Sequence, residues 1–175
     1  MFVRRLFRMH PEWHKTLRFG VMAGVLAAAG VVAGGQIIAP VPPPRARHIY
    51  SETANPKADI AAALATARRE HKRVILDFGG DWCPDCQVLD IYFHQAPNAQ
   101  MLAKNFVLVH VWIGQMDANL DIAAKYGVSI KKGVPALAVL APSSKVLYAQ
   151  ATSEFRDMQA VSPASVTEFL KKWKS

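Results

Sequence analysis

Arg73-Val74-Ile75-Leu76-Asp77-Phe78-Gly79-Gly80-Asp81-Trp82-Cys83-Pro84-Asp85-Cys86 is the stretch whose reading decides the fold. Arg73 to Phe78 is a short β-branched and apolar run, the pattern of a buried strand, and Gly79-Gly80 stops it. Two cysteines follow at C-x-x-C spacing, and Val88 to Phe93 continue as helix. Cys83 is therefore expected at a helix N-terminus, with Pro84 as the first helical residue, where a missing N–H costs nothing. Unpaired backbone N–H groups and the helix dipole at such an end stabilise a thiolate. Thiolate is the attacking species in disulfide exchange, so Cys83 is the candidate nucleophile. Cys86, one turn along, is the candidate resolving thiol.

Working outward, Asn55-Pro56 makes a helix start, with a capping side chain followed by Pro. Ile60, Leu64, Ala67 and His71 then recur at helical spacing. Asn98 is expected to cap a short helix through Lys104, and Phe106 to Trp112 reads as a second strand. Asp117 is expected to cap a helix running to Tyr126, with Gly127 at its stop. Val134 to Ala141 reads as a third strand, and Pro142-Ser143-Ser144 turns it into a fourth, Val146 to Ala151. Ser162-Pro163 opens a last helix with Val166, Phe169, Leu170 and Trp173 on one apolar face. Strands alternating with helices indicate an α/β domain over 55–175 with a parallel core and a final antiparallel hairpin.

The chain has only two cysteines, three positions apart, so no disulfide framework can staple distant parts of the fold. A bridge across this pair closes too small a loop to constrain the unfolded chain much. The pair could instead be half of a metal site, with His71, His94, His110 and the nearby acids as further donors. No second Cys pair or spaced His pair accompanies it, so no metal is assigned, and no cofactor beyond the Cys83–Cys86 pair is expected.

The segment from Asp77 to Cys86 resembles the active-site segment of the thioredoxin superfamily, in which an apolar strand bearing an Asp runs into W-C-x-x-C, here W-C-P-D-C. Gly133-Val134-Pro135 is similar to that family's cis-proline loop, which faces the cysteines. The resemblance covers Lys57 to Trp173. It implies a thioredoxin fold, a mixed sheet of about four strands flanked by helices, and dithiol–disulfide exchange with protein substrates. It is similar in style to exported, membrane-anchored thioredoxin-like proteins and to the C-terminal domain of transmembrane reductant-conducting proteins. By that resemblance Asp77 would exchange a proton with Cys86. Burial among Val74, Ile75, Leu76 and Phe78 suits this, since burial disfavours the charged form of a carboxyl. Trp82 would cover the exposed sulfur, Pro84 would lie at the substrate face, and Pro135 in cis would present the Val134 backbone to an extended substrate strand.

Pro84-Asp85 departs from the Gly-Pro common between the cysteines of cytoplasmic members. Asp77, Asp81, Asp85 and Asp90 cluster around the site, and negative charge opposes thiolate formation. Cys83 is therefore expected to resemble the nucleophile of a reducing thioredoxin more than that of a strongly oxidising enzyme. Gly79-Gly80 is smaller than the family's usual pair, which predicts a more open flank.

Net charge is +8 over 175 residues, but half of the excess lies in residues 1–18, where Arg4, Arg5, Arg8, Lys15 and Arg18 oppose only Glu12. From Asn55 onward fourteen Lys and Arg face eleven Asp and Glu, which gives nucleic-acid binding little support. Phe19 to Ala39 carries no charge and is long enough to cross a hydrocarbon core of about 30 Å. The basic residues before it place the N-terminus in the cytoplasm and the chain after Pro40 across the membrane. The organisation expected is a basic cytoplasmic leader over 1–18, an uncleaved signal anchor (or a cleaved signal peptide) over 19–39 and a Pro-rich spacer over 40–54. That places the domain on the periplasmic side of a bacterial inner membrane. The expected function is a reductase or isomerase acting on protein thiols and disulfides, supplied with electrons by a membrane donor. The alternatives are a disulfide-forming oxidase, or a non-catalytic thioredoxin-like binding module or metallochaperone.

Overall fold

A computed structural model describes residues 47–152, 154–158 and 160–175. The leader, the expected membrane span and the spacer up to residue 46 lie outside the described residues. Among the described residues no helix is long and apolar enough to cross a membrane.

Asn55 accepts the Ala58 N–H on its side chain at 3.2 Å and starts α1, Pro56–Glu70, with Pro56 at the first position as its sequence requires. β1 is Arg73–Gly79, α2 Pro84–His94, α3 Asn98–Asn105, β2 Phe106–Trp112 and α4 Leu120–Lys125. A single 3₁₀ turn, Ile130–Lys132, precedes β3, Ala136–Leu140; β4, Val146–Ala149, and α5, Pro163–Trp173, complete the order.

The four strands of the described residues form one mixed sheet in the order β2-β1-β3-β4. Its parallel part is narrower than the alternation of strands and helices suggests. β1 pairs with β2 in parallel, but β3 runs antiparallel to both β1 and β4. The α4 and 3₁₀ connection returns the chain to the opposite edge of β1 in the opposite direction, a choice that periodicity does not record.

β1 is buried along nearly all its length and feeds both sides of the sheet, as alternating side chains must. Val74, Leu76 and Phe78 join Ile60, Leu64 and Ala67 of α1 and Ile122 and Ala123 of α4. Ile75 joins Leu89 and Phe93 of α2, Leu102 of α3, and Val166 and Leu170 of α5. β1 is thus the central strand, and the joint at its C-terminal end is held between packed layers.

Two helix starts differ from the sequence reading. Asp117 accepts the Gln115 N–H at 2.9 Å inside the preceding turn and does not cap α4, which begins after Asn119. Asn119 takes a left-handed conformation (φ 54°) and donates its side-chain amide to the Trp112 carbonyl at 2.7 Å. Asn98 lies within α3, whose cap is Pro97. Its amide donates to the carbonyls of Tyr92 and Pro163 at 2.9 and 3.1 Å, and its oxygen accepts the Thr167 hydroxyl at 2.6 Å. A buried amide satisfied on three sides ties α2, α3 and α5 together.

Candidate active site

The end of β1 and the start of α2 bring the two sulfurs to the edge of the core. Cys83 and Cys86 form a disulfide with their Cα atoms 5.3 Å apart. Cys83 is the N-cap of α2, and the Cys86 N–H donates to Cys83 Sγ at 3.1 Å. Cys83 is 4 % exposed and Cys86 0 %, so any approach to the pair is through Cys83. Pro84 is exposed at the first helical position. The Val134–Pro135 peptide is cis, and the Val134 carbonyl oxygen lies 3.7 Å from Cys83 Sγ. Cys83 therefore faces the Val134 backbone that leads into Pro135.

Trp82 is 44 % exposed and donates its indole N–H to the Gly114 carbonyl at 2.7 Å. The flank beside Gly79-Gly80 is filled, not open. A Cβ on Gly80 would lie 2.5 Å from the Trp82 indole nitrogen, and a Cβ on Gly79 would lie 2.6 Å from the Tyr50 hydroxyl. The two glycines make room for two aromatic rings, one of which arrives from outside the motif.

Asp77 is fully buried, and the parallel register sets it opposite His110 of β2. Asp77 Oδ2 accepts the Tyr50 hydroxyl at 2.7 Å and is hydrogen bonded to His110 Nδ1 at 3.0 Å. Asp77 Oδ1 is buried and has no hydrogen-bond partner among the described residues. Unsatisfied buried polar atoms are rare in folded proteins, and catalytic groups are one place they occur.

The other aspartates of the cluster have separate duties. Asp81 Oδ1 accepts the backbone N–H groups of Ile49 and Tyr50 at 2.8 and 3.0 Å, and Oδ2 meets His48 Nδ1 at 2.9 Å. Asp90, nearly buried, pairs with Arg47 at 2.6 Å and His94 at 3.0 Å, and its Oδ1 is 3.9 Å from His110 Nε2. Asp85 accepts the Met158 N–H at 3.3 Å. Residues 47–50, part of the spacer stretch in the sequence reading, are thus packed on the domain.

Burial lowers the proton affinity of His110, but the hydrogen bond to Asp77 and the charges of Asp77, Asp90 and Asp81 outweigh it, and its pKa rises above 6.5. Burial foremost, then the Asp77 carboxylate, pushes the Tyr50 phenol well above 10.0. Tyr50 is therefore a neutral donor across the physiological range. Among the described residues no group of three or more His, Cys, Asp or Glu is placed to hold a metal ion.

A thioredoxin-like family model matches residues 55–142, half of the chain. The chain belongs to the thioredoxin-like family. This thioredoxin-like chain is similar to the crystal structure of a disulphide isomerase from Xylella fastidiosa, at 32 % identity and a TM-score of 0.69. That match covers 72 % of this chain and 96 % of the other. It is also 25 % identical over 126 residues to the thiol:disulfide interchange protein DsbD of Pseudomonas fluorescens, covering 72 % of this chain and 20 % of that protein. The chain thus spans about a fifth of the length of this curated relative.

In this thioredoxin-like domain a Cys-x-x-Cys pair caps a helix, and that arrangement can perform thiol–disulfide chemistry. Two contributors, Tyr50 and Gln150, carry no signal in the sequence, and a third, His110, reads there only as a possible metal donor. Tyr50 sits in a stretch that reads as spacer. His110 was visible as one polar residue inside an apolar strand, and only the β1–β2 register reveals its purpose. Gln150, 1 % exposed, accepts the Leu137 N–H at 3.0 Å and donates to the Pro135 carbonyl at 3.3 Å, holding the cis-proline loop.

Proposed function

We propose that this chain is an exported thiol–disulfide oxidoreductase that reduces or isomerises disulfides in client proteins through Cys83 and Cys86. The observation that carries the reading is the position of Cys83: at the N-cap of α2, accepting the Cys86 N–H, and facing the cis Val134–Pro135 peptide. In the dithiol form the Cys83 thiolate attacks a client disulfide. One client sulfur leaves with the electron pair and takes a proton, while the other stays bonded to Cys83. Cys86 then loses its proton, for which we assign the buried, unpartnered Asp77 Oδ1 as acceptor, and attacks Cys83 Sγ. The second client sulfur leaves as a thiol and the Cys83–Cys86 bond forms. The client disulfide gains two electrons and the pair loses them.

The Val134 backbone beside the sulfur suits an extended client strand, and exposed Trp82 and Pro84 flank it. Repeated turnover as a reductase in an oxidising compartment requires a donor, and a membrane dithiol relay is the class we assign. The export assignment rests on the basic residues 1–18 and the uncharged run 19–39. The acidic surroundings of Tyr50 and His110 support the reducing direction, because negative charge around the site disfavours a highly stabilised thiolate.

The test is to replace Cys86 by Ala and seek covalent client complexes in the exported compartment. Mixed disulfides through Cys83, together with insulin reduction by the wild-type chain, are expected. Capture of clients only while they are being oxidised would instead establish a disulfide-forming oxidase. No capture and no insulin reduction would establish a non-catalytic binding module.

A further inference from the structure

Tyr50 reaches the redox centre from outside the strand–helix joint that carries the cysteines. It is 2 % exposed, and its ring meets the His110 ring edge-on with centroids 5.1 Å apart. The point a Cβ on Gly79 would occupy lies 2.6 Å from the Tyr50 hydroxyl oxygen and 2.8 Å from Cys86 Sγ. The absent side chain of Gly79 therefore leaves one gap, and the phenol and the resolving sulfur share it. The backbone that delivers Tyr50 is clamped. Asp81 holds the N–H groups of residues 49 and 50, while the Gln87 side chain accepts the Arg47 N–H at 3.0 Å and donates to the Arg47 carbonyl at 2.9 Å. Clamping of this kind fixes a functional group to within the tolerance that proton transfer needs.

We propose that Tyr50 is a positioning residue for the resolving step. Together with His110 it occupies Asp77 Oδ2, which leaves Oδ1 as the acceptor for the Cys86 proton and couples the sulfur to the His110 imidazole. The inference deepens the disulfide-exchange reading and rests on it. In the mixed disulfide, Asp77 Oδ1 takes the Cys86 proton and the thiolate attacks Cys83 Sγ. The Cys83–Cys86 bond forms, the Cys83–client bond breaks with its electron pair on the client sulfur, and solvent protonates that sulfur. Tyr50 neither gains nor loses a proton. It fixes the orientation of the carboxylate through the hydrogen bond its hydroxyl donates to Oδ2. The charged and titratable groups facing this centre are His110 from β2, Asp90 of α2 with its partners Arg47 and His94, and Asp81 with its partner His48.

The experiment uses the full chain in its dithiol form and a disulfide-bonded peptide carrying a fluorophore, which separates capture by Cys83 from release by Cys86. Tyr50→Phe keeps the ring and removes the hydroxyl. Capture is expected to stay within about twofold, while release slows about tenfold near neutral pH and its pH profile moves upward. In an Asp77→Asn background the same substitution is expected to add no further slowing. Unchanged release, or equal slowing of capture and release, would overturn the proposal. A second measurement needs no variant: the imidazole resonances of His110 are titrated by NMR in the disulfide and dithiol forms of the wild-type chain. Different midpoints support the coupling, and identical midpoints overturn it. A wild-type chain that exchanges nothing with the peptide overturns the disulfide-exchange reading and this inference with it. Normal exchange with an indifferent Tyr50→Phe variant overturns the inference alone.

Discussion

Asp81, two residues before Cys83, accepts the backbone N–H of Tyr50 at 3.0 Å across a sequence separation of 31 residues. The same oxygen holds Ile49, so the active-site loop fastens the segment that brings Tyr50 to Asp77. Asp81→Ala removes the acceptor for both N–H groups. Hydrogen bonds to a charged acceptor contribute about 1.5–3 kcal/mol each, and solvent reaches part of this one, so a loss of about 2 kcal/mol is expected. Urea unfolding measures it, and faster amide exchange confined at first to residues 47–50 identifies the cause.

Gly79 is required for the room it leaves. In Gly79→Ala the new methyl would fall 2.6 Å from the Tyr50 hydroxyl and 2.8 Å from Cys86 Sγ, closer than real Cβ contacts allow. The fold is expected to lose about 1–3 kcal/mol as Tyr50 is pushed aside. Thermal unfolding reads the loss, and release of a captured client should slow along with it. A variant as stable as wild type, with Tyr50 still buried, would contradict the packing described.

Gln150 holds the cis-proline loop through Leu137 and Pro135. Gln150→Ala leaves the buried Leu137 N–H and the Pro135 carbonyl without their side-chain partner. One unsatisfied buried group costs about 1–3 kcal/mol. Denaturation should register a loss in that range. If the cis-proline loop binds the client as proposed, insulin reduction should show a raised KM with a smaller change in kcat.

The pH dependence of stability follows from His110. Its folded pKa lies above its ordinary 6.5, since the Asp77 hydrogen bond and three carboxylates outweigh burial. A folded state that keeps its proton to higher pH gains stability that is complete below pH 6.5 and is lost as pH rises through the elevated value. Wild-type stability to urea should therefore fall as pH rises above about 6.5, and His110→Gln should flatten that fall. An equal slope in both proteins would show that the His110 proton is not linked to folding.

Much of the fold is legible because its signals are local. A capping Asn before Pro56, a run of buried residues from Val74 to Phe78, and Ser162-Pro163 before an apolar helix face each act within a few residues, and each element forms where those signals stand. The Cys83–Cys86 pair is likewise a local statement: strand, two glycines, then two sulfurs on the first turn of a helix. What lies around that pair is not local. Whether β3 runs with or against β1 depends on the path of the chain between them, and whether Asn98 or Asp117 caps a helix depends on competing donors and acceptors from other elements. Tyr50, His110 and Gln150 carry no motif at all. They matter because sheet register and a clamped segment bring a phenol and an imidazole to one oxygen of Asp77, and an amide to the cis-proline loop. Thus the sequence by itself determined which atoms exchange electrons, since thiolate chemistry needs only two cysteines and a helix end. Tertiary structure alone decided which groups meet the Asp77 carboxylate, since that requires residues distant in the chain to come within hydrogen-bond distance.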